Sequence, residues 1–207
     1  NYRTFLLRIS EVLMPDEHPE RQTPLSTRTT VAPYSAQEMD RFRDWAGAQL
    51  TELKRCRAML MLTLGAGAGL RPGELPWVRH EDVIVDDAGI LIRTAGREAP
   101  LLAEWEEWML SVLERRPKGE LLWGHVNVHN TSRLASTFTE RSFGKPPRGD
   151  RLRHTWFTHH LTIATPMKDL MRAAGIVKLQ HLHLLLDYVE PLADADYRAA
   201  LRAEVQR

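Results

Sequence analysis

A single cysteine, Cys56, has no partner within these 207 residues. That excludes an internal disulfide and fits a reducing compartment. No apolar run approaches the roughly eighteen residues that a membrane span requires, and the start of the chain has no secretory pattern, so no membrane association is expected. The chain opens at Asn1 and is expected to be cut from inside a longer one. Neither charge sign dominates: 28 Lys and Arg face 27 Asp and Glu, which argues against a protein that simply coats nucleic acid. The glycine-rich run Gly65 to Gly69 lacks a following Lys-Ser/Thr, and an apolar helical run rather than a strand precedes it, so it is not a nucleotide loop. His159, His160, His181 and His183 have no cysteine or carboxylate pattern to complete a ligand set. No metal and no cofactor are expected.

What the chain does have is an uneven distribution of charge. Between Arg141 and His154 lie Arg141, Lys145, Arg148, Arg151 and Arg153 against one acid, Asp150, while acids gather at Glu104 to Glu107 and Asp187 to Asp196. A basic stripe of this kind suits DNA phosphates, and a solvated loop is the plain alternative. The stripe runs into a helical pattern in which Leu152, Trp156, His159 or His160, and Ile163 form one buried line. Arg153 sits beside that line, where a guanidinium is costly unless an anion or a carboxylate meets it.

Periodicity divides the chain. Tyr2 to Leu13 is helical, and a polar, proline-rich stretch follows from Met14 to Pro33. Ser35-Ala36-Gln37-Glu38 is a capping box opening a helix that buries Met39, Phe42, Trp45 and Ala46. A second helix runs from Glu52 to Leu64, and Pro72 stands at the first position of a short third one. Val83–Val85 and Ile90–Ile92 flank a turn as a hairpin, with a third strand after Gly96. Leu101 to Glu114 is an amphipathic helix, Leu121 to Trp123 a short strand, Leu134 to Phe143 a helix, and Ala193 to Arg207 a helical tail. The fold class is mainly α with a small antiparallel β-sheet.

Two stretches carry a resemblance. Gly69-Leu70-Arg71-Pro72-Gly73-Glu74-Leu75 and Asp150-Arg151-Leu152-Arg153-His154-Thr155-Trp156 resemble, in order and with the expected elements between, the two arginine boxes of the tyrosine recombinases or phage integrases. The resemblance implies that residues 1–33 are the end of a preceding helical DNA-binding domain plus its linker, and residues 34–207 the catalytic domain. It implies a duplex DNA partner, a 3′-phosphotyrosine intermediate, Arg71 and Arg153 as phosphate clamps, and Glu74 orienting Arg71. Arg97, Lys145, Arg148, Arg151 and His154 become the expected DNA contacts. It further implies a cytoplasmic protein of a bacterium, phage or mobile element, acting as a tetramer on DNA or paired with an active relative.

The remaining positions depart from the family pattern. The sheet's last turn should carry a proton-donating lysine, yet no lysine lies between Lys54 and Lys118, and Arg97 holds its proton too tightly for that role. Asp150 stands where a histidine base is usual, and either acts as a base or pairs with Arg71 or Arg153. Gly175-Ile176 replaces Gly-His. The usual spacing of the nucleophile falls on Leu185, so Tyr188 is the first choice, through a short insertion around Lys178 to His183, and Tyr197 the second. Either His181 or His183 could fill the place of the missing histidine. Two readings follow: a recombinase that cleaves strands, or a catalytically degenerate DNA-binding or regulatory protein on the same fold.

Overall fold

The computed structural model describes residues 2–14, 32–126, 133–178 and 182–202. Helix α1 is Tyr2–Leu13, with Phe5, Leu6, Val12 and Leu13 exposed. Much of the expected linker, residues 15–31, lies outside the described residues. Helix α2 (Ala36–Gly47) begins as its capping box requires: the Glu38 amide donates to Ser35 Oγ at 3.2 Å and the Ser35 amide to Glu38 Oε2 at 2.9 Å. It buries the expected Met39, Phe42, Trp45 and Ala46. Thr51 caps α3 (Glu52–Leu62), which carries Leu60, Met61 and Leu62 into the core.

The chain does not stop at Leu64 but continues through a widened π-helical turn, Thr63–Gly67. The glycines here serve packing. Helix α6 (Gly149–Thr162) crosses them with Leu152 and Trp156, one turn apart, laid on Gly65 and Gly69, also one turn apart. A Cβ on Gly65 would stand 3.1 Å from Leu152 Cβ, and one on Gly69, at φ +61°, would stand 2.3 Å from the Trp156 ring. Only glycine allows both that backbone conformation and that approach.

Strands β1 (Val83–Asp86), β2 (Gly89–Thr94) and β3 (Arg97–Pro100) form one antiparallel sheet in the order β1-β2-β3. Val83 pairs with Ile92 and Thr94 with Arg97. Ile92 and Ala99 are fully buried, which fixes the inward face and therefore the register. A short 3-10 turn, Ala103–Trp105, leads into α4 (Glu106–Arg115), and α5 spans Leu134–Glu140.

A second, smaller core joins Trp156 and Phe157 of α6 to Leu170 and Ala174 of α7 (Met167–Ala174) and to Leu182 and Leu185 of a 3-10 segment, Leu182–Tyr188. Full burial of side chains this large contributes about 1.5–3 kcal/mol each, so this cluster fixes where α7 ends. Helix α8 (Asp194–Leu201) buries none of its residues.

Several expectations give way. Leu121–Trp123 is not a strand but makes one isolated bridge, Arg79 to Leu121. Pro72 opens a turn, and helical structure resumes only as a single 3-10 turn, Leu75–Trp77, because Pro76 lacks the amide that a helix opening at Pro72 would need there. On α6 the buried line is Leu152, Arg153, Trp156 and Phe157, while Ile163 is exposed because the helix ends at Thr162. Of the tail, residues 203–207 lie outside the described residues.

Candidate functional site

Arg71 leaves the glycine-rich turn, Arg153 projects from the second turn of α6, Arg97 starts β3, and all three reach the end of α7, where Arg71 and Arg97 also bond Glu74. Arg97 grips Glu74 with both terminal nitrogens, Nη1 to Oε1 at 2.6 Å and Nη2 to Oε2 at 2.9 Å. Arg71 adds Nη1 to Oε1 at 2.9 Å and its backbone amide to Oε2 at 2.7 Å. The α7 end supplies three successive carbonyls. Ala173 O accepts from Arg97 Nε at 2.8 Å, Ala174 O from Arg153 Nη2 at 2.7 Å, and Gly175 O from Arg71 Nη2 at 2.8 Å. Arg153 Nη1 also donates to Gly69 O. Helix C-terminal carbonyls carry partial negative charge and otherwise lack partners, so cations are favoured there. Gly175 takes the left-handed cap at φ +62°, and a Cβ there would stand 2.6 Å from Arg97 Cδ.

The charges do not cancel. Two of the three guanidinium groups bond the one carboxylate and Arg153 feels only its charge, an excess of two positive charges among groups that are mostly sealed from water. Arg97 and Glu74 have side chains 7% and 12% exposed, and Arg153 is 8% exposed. Burial, reinforced by Arg71 and Arg97 and opposed by Glu74, brings the Arg153 guanidinium down to about 10. Burial pushes Glu74 upward, but hydrogen bonds from Arg97 and the Arg71 amide, with the charges of both arginines, outweigh it and hold the carboxyl below its usual range. Arg71 is the opening: its side chain is 45% exposed. Of five N–H donors on each guanidinium, the described residues engage two on Arg71 and two on Arg153, which leaves capacity for an incoming anion.

The other expected residues divide. Arg97, expected at the DNA surface, is turned inward onto Glu74. Asp150 pairs with neither Arg71 nor Arg153. It takes Arg148 Nη2 at 2.6 Å and Nε at 3.2 Å, and the Arg151 amide at 2.9 Å. Burial pushes Asp150 upward, but the Arg148 bonds and charge, the Arg151 amide and His154 nearby outweigh it and lower its pKa. Arg151 also faces inward, donating to Ala32 O at 2.6 Å, to Pro33 O at 3.2 Å and to Glu38 at 3.1 Å, with its guanidinium 3.9 Å from the Tyr34 ring centre. Of the basic stripe, Arg141, Lys145 and Arg148 lie at the surface, and His154 is half-buried.

Tyr188 ends the 3-10 segment and is 41% exposed, so it is not sealed in the core. Tyr197 is on α8 and 55% exposed. His181 lies outside the described residues. His160 donates to or accepts from Thr165 Oγ1 at 2.9 Å, and burial, followed by the charge of His159, lowers it to about 4. It is a packed, neutral histidine at pH 7. Among the described residues no helix is long and apolar enough to cross a membrane.

Sequence reasoning missed the α7 carbonyls and the role of Tyr34. The Tyr34 amide donates to Thr155 Oγ1 at 2.9 Å and its hydroxyl accepts from the Arg148 amide at 2.8 Å, fastening the segment entering α2 onto α6. Neither left a signal in the sequence, because backbone acceptors have no residue type and Tyr34 belongs to no periodic stripe.

No protein-family model matches the sequence, and no curated protein matches it. Solved structures do. The XerA recombinase aligns over 94% of this chain and 70% of its own, with a TM-score of 0.55 and 17% identity. The Tn1549 transposon integrase in complex with circular intermediate DNA aligns over 96% and 75%, at 0.57 and 15%. The catalytic domain of bacteriophage HP1 integrase aligns over 84% and 95%, at 0.50 and 13%. At these identities the shared property is the fold, which is that of a tyrosine recombinase catalytic domain.

Proposed function

We propose that this chain binds duplex DNA as a site-specific recombinase or integrase, seating one phosphodiester at the open side of the arginine cluster. The observation that carries the reading is the charge excess: three guanidinium groups gathered around Glu74 with only Arg71 reaching solvent. Cations fixed in advance by Glu74 and by backbone carbonyls need no rearrangement as negative charge builds on a five-coordinate phosphorus, which is how such a site lowers a barrier. In the cleavage step the Tyr188 oxygen attacks phosphorus, the P–O5′ bond breaks, and a 3′-phosphotyrosine forms. The tyrosine proton is lost to a base and the departing 5′ oxygen takes up a proton. Arg71 and Arg153 stabilise the charge, and Glu74 and Arg97 position them. Residues 1–33 then belong to a preceding DNA-binding domain and its linker, with residues 34–207 the catalytic unit. The setting is a cytoplasmic protein of a bacterial or phage mobile element, assembling as a tetramer on DNA or with an active relative.

Three observations favour the second reading, a DNA-binding protein that no longer cuts. Arg97 has both terminal nitrogens on Glu74, Asp150 is tied to Arg148, and Ile176 offers no donor, so these three positions supply no group for proton transfer. A nicked suicide duplex separates the two. A covalent protein–DNA adduct that disappears in Tyr188→Phe establishes cleavage. Salt-sensitive DNA binding with no adduct establishes the second reading, and absence of DNA binding refutes both.

A further inference from the structure

Beside the β2–β3 turn lies a hollow of about 570 Å³ that the phosphate site does not use. Trp77, Asp82, Arg93, Thr94, Glu98 and Arg172 line it. Its volume is that of a small-molecule site. Trp77 is 42% exposed, whereas Trp45, Trp105, Trp123 and Trp156 are buried. An indole open to a charged hollow is a stacking surface, and no aromatic ring of the described residues stacks on it. The rim offers both hydrogen-bonding senses: Arg93 and Thr94 donate, Asp82 and Glu98 accept. These groups are available at small cost. Arg93 and Glu98 are 3.5 Å apart and both half-exposed, and among the described residues Asp82 commits only Oδ2, to the Arg79 amide. A flat ring with donors and acceptors around its edge matches this lining, and a nucleobase is such a ring.

We infer that this hollow receives an unpaired nucleobase, stacked on Trp77 and held at its edge by the polar rim. A paired base hides both faces in the helix, so only an unstacked one presents a face to an indole. The hollow also shares a wall with the arginine cluster, because Arg97 lines it while bonding Glu74 and the α7 end. In this respect the inference rests on the proposed phosphodiester site: a strand whose phosphate sits on Arg71 would pass beside the hollow.

Fluorescence anisotropy with the full chain tests it, using a perfect duplex, the same duplex with a one-nucleotide bulge, and the same bulge made abasic. The base-containing bulge is expected to bind tighter than the duplex by on the order of tenfold, the size of one stacked base. The abasic bulge, equally flexible, should bind like the duplex. Trp77→Ala should abolish the preference while Trp77→Phe keeps most of it, and Arg71→Ala should weaken all three DNAs alike. An abasic bulge bound as tightly as the normal one, or a preference that survives Trp77→Ala, overturns the inference. Should no DNA bind, the function proposed above fails, and the hollow is judged by saturation-transfer NMR with free deoxynucleosides. Transfer to the base protons that vanishes in Trp77→Ala sustains the hollow as a base site. No transfer with the wild-type chain overturns it.

Discussion

Glu74→Gln keeps the shape of the residue at the centre of the arginine cluster and removes its charge. In the wild-type chain Glu74 accepts four hydrogen bonds, three from guanidinium nitrogens and one from the Arg71 amide. The glutamine amide nitrogen would point donors at donors. The cluster, already carrying two uncompensated positive charges, would carry three. Breaking a buried ion pair by removing one partner costs about 3–5 kcal/mol, and Arg97, 7% exposed, meets that condition. Arg71, 45% exposed, adds little because solvent screens it. A loss of about 3–5 kcal/mol is a large part of the 5–15 kcal/mol typical of a domain, and urea unfolding at pH 7 reads it directly. The sign of the pH dependence follows from the lowered pKa. Glu74's contribution is complete above its unfolded value of 4.5 and disappears as pH falls through the lower folded value. His160, lowered to about 4, also takes up a proton on unfolding, so both proteins weaken in acid. Their difference isolates Glu74 and should shrink below pH 4.5. A Glu74→Gln variant within about 0.5 kcal/mol of wild type at pH 7 would lie in the range of ordinary surface changes and refute the buried-anchor argument, as would a gap unchanged down to pH 3.

Other perturbations separate the residues that build the site from those beside it. Gly69→Ala forces a left-handed backbone on a residue whose Cβ strikes Trp156, and should cost about 2–5 kcal/mol in denaturant unfolding. Asp150→Asn removes a pair whose members are 49% and 63% exposed and should change stability by less than about 1 kcal/mol. A much larger loss would mean that the carboxylate has an internal role. Arg71→Ala should lower the slope of log K against log salt for duplex binding by about 0.9, one phosphate's share. An unchanged slope would remove Arg71 from the DNA contact.

Much of this architecture was legible because local rules and global packing agree. The capping box at Ser35, the hairpin of two apolar runs flanking Asp86–Gly89 and the apolar face of α2 each have one stable solution, and the structure adopts it. The convergence of Arg71 and Arg153 was legible only through the resemblance of their two boxes. Where sequence reading failed, the cause was long-range. Arg97 and Arg151 look like surface cations until Glu74, Ala173 O, Ala32 O and Tyr34 are brought to them from distant parts of the chain. The glycine-rich run could be excluded as a nucleotide loop, but its purpose required knowing that Leu152 and Trp156 would lie on it.

Those glycines and the arginine cluster form one device. Arg153 reaches Gly69 O where Trp156, three residues further along α6, packs on Gly69. Arg71 follows Gly69 by two residues, so the contact that seats α6 also sets the start of the first arginine box. The other wall is the end of α7, fixed by the burial of Leu170 and Ala174 against Trp156 and Phe157. Trp156 therefore touches both walls, and the spacing of the guanidinium groups depends on its bulk. Replacing Trp156 with leucine should leave the arginines and Glu74 chemically intact and still weaken anion binding. The loss would come from the gap between the two walls, and so should exceed that of an equally destabilising cavity made at Met109 in the main core.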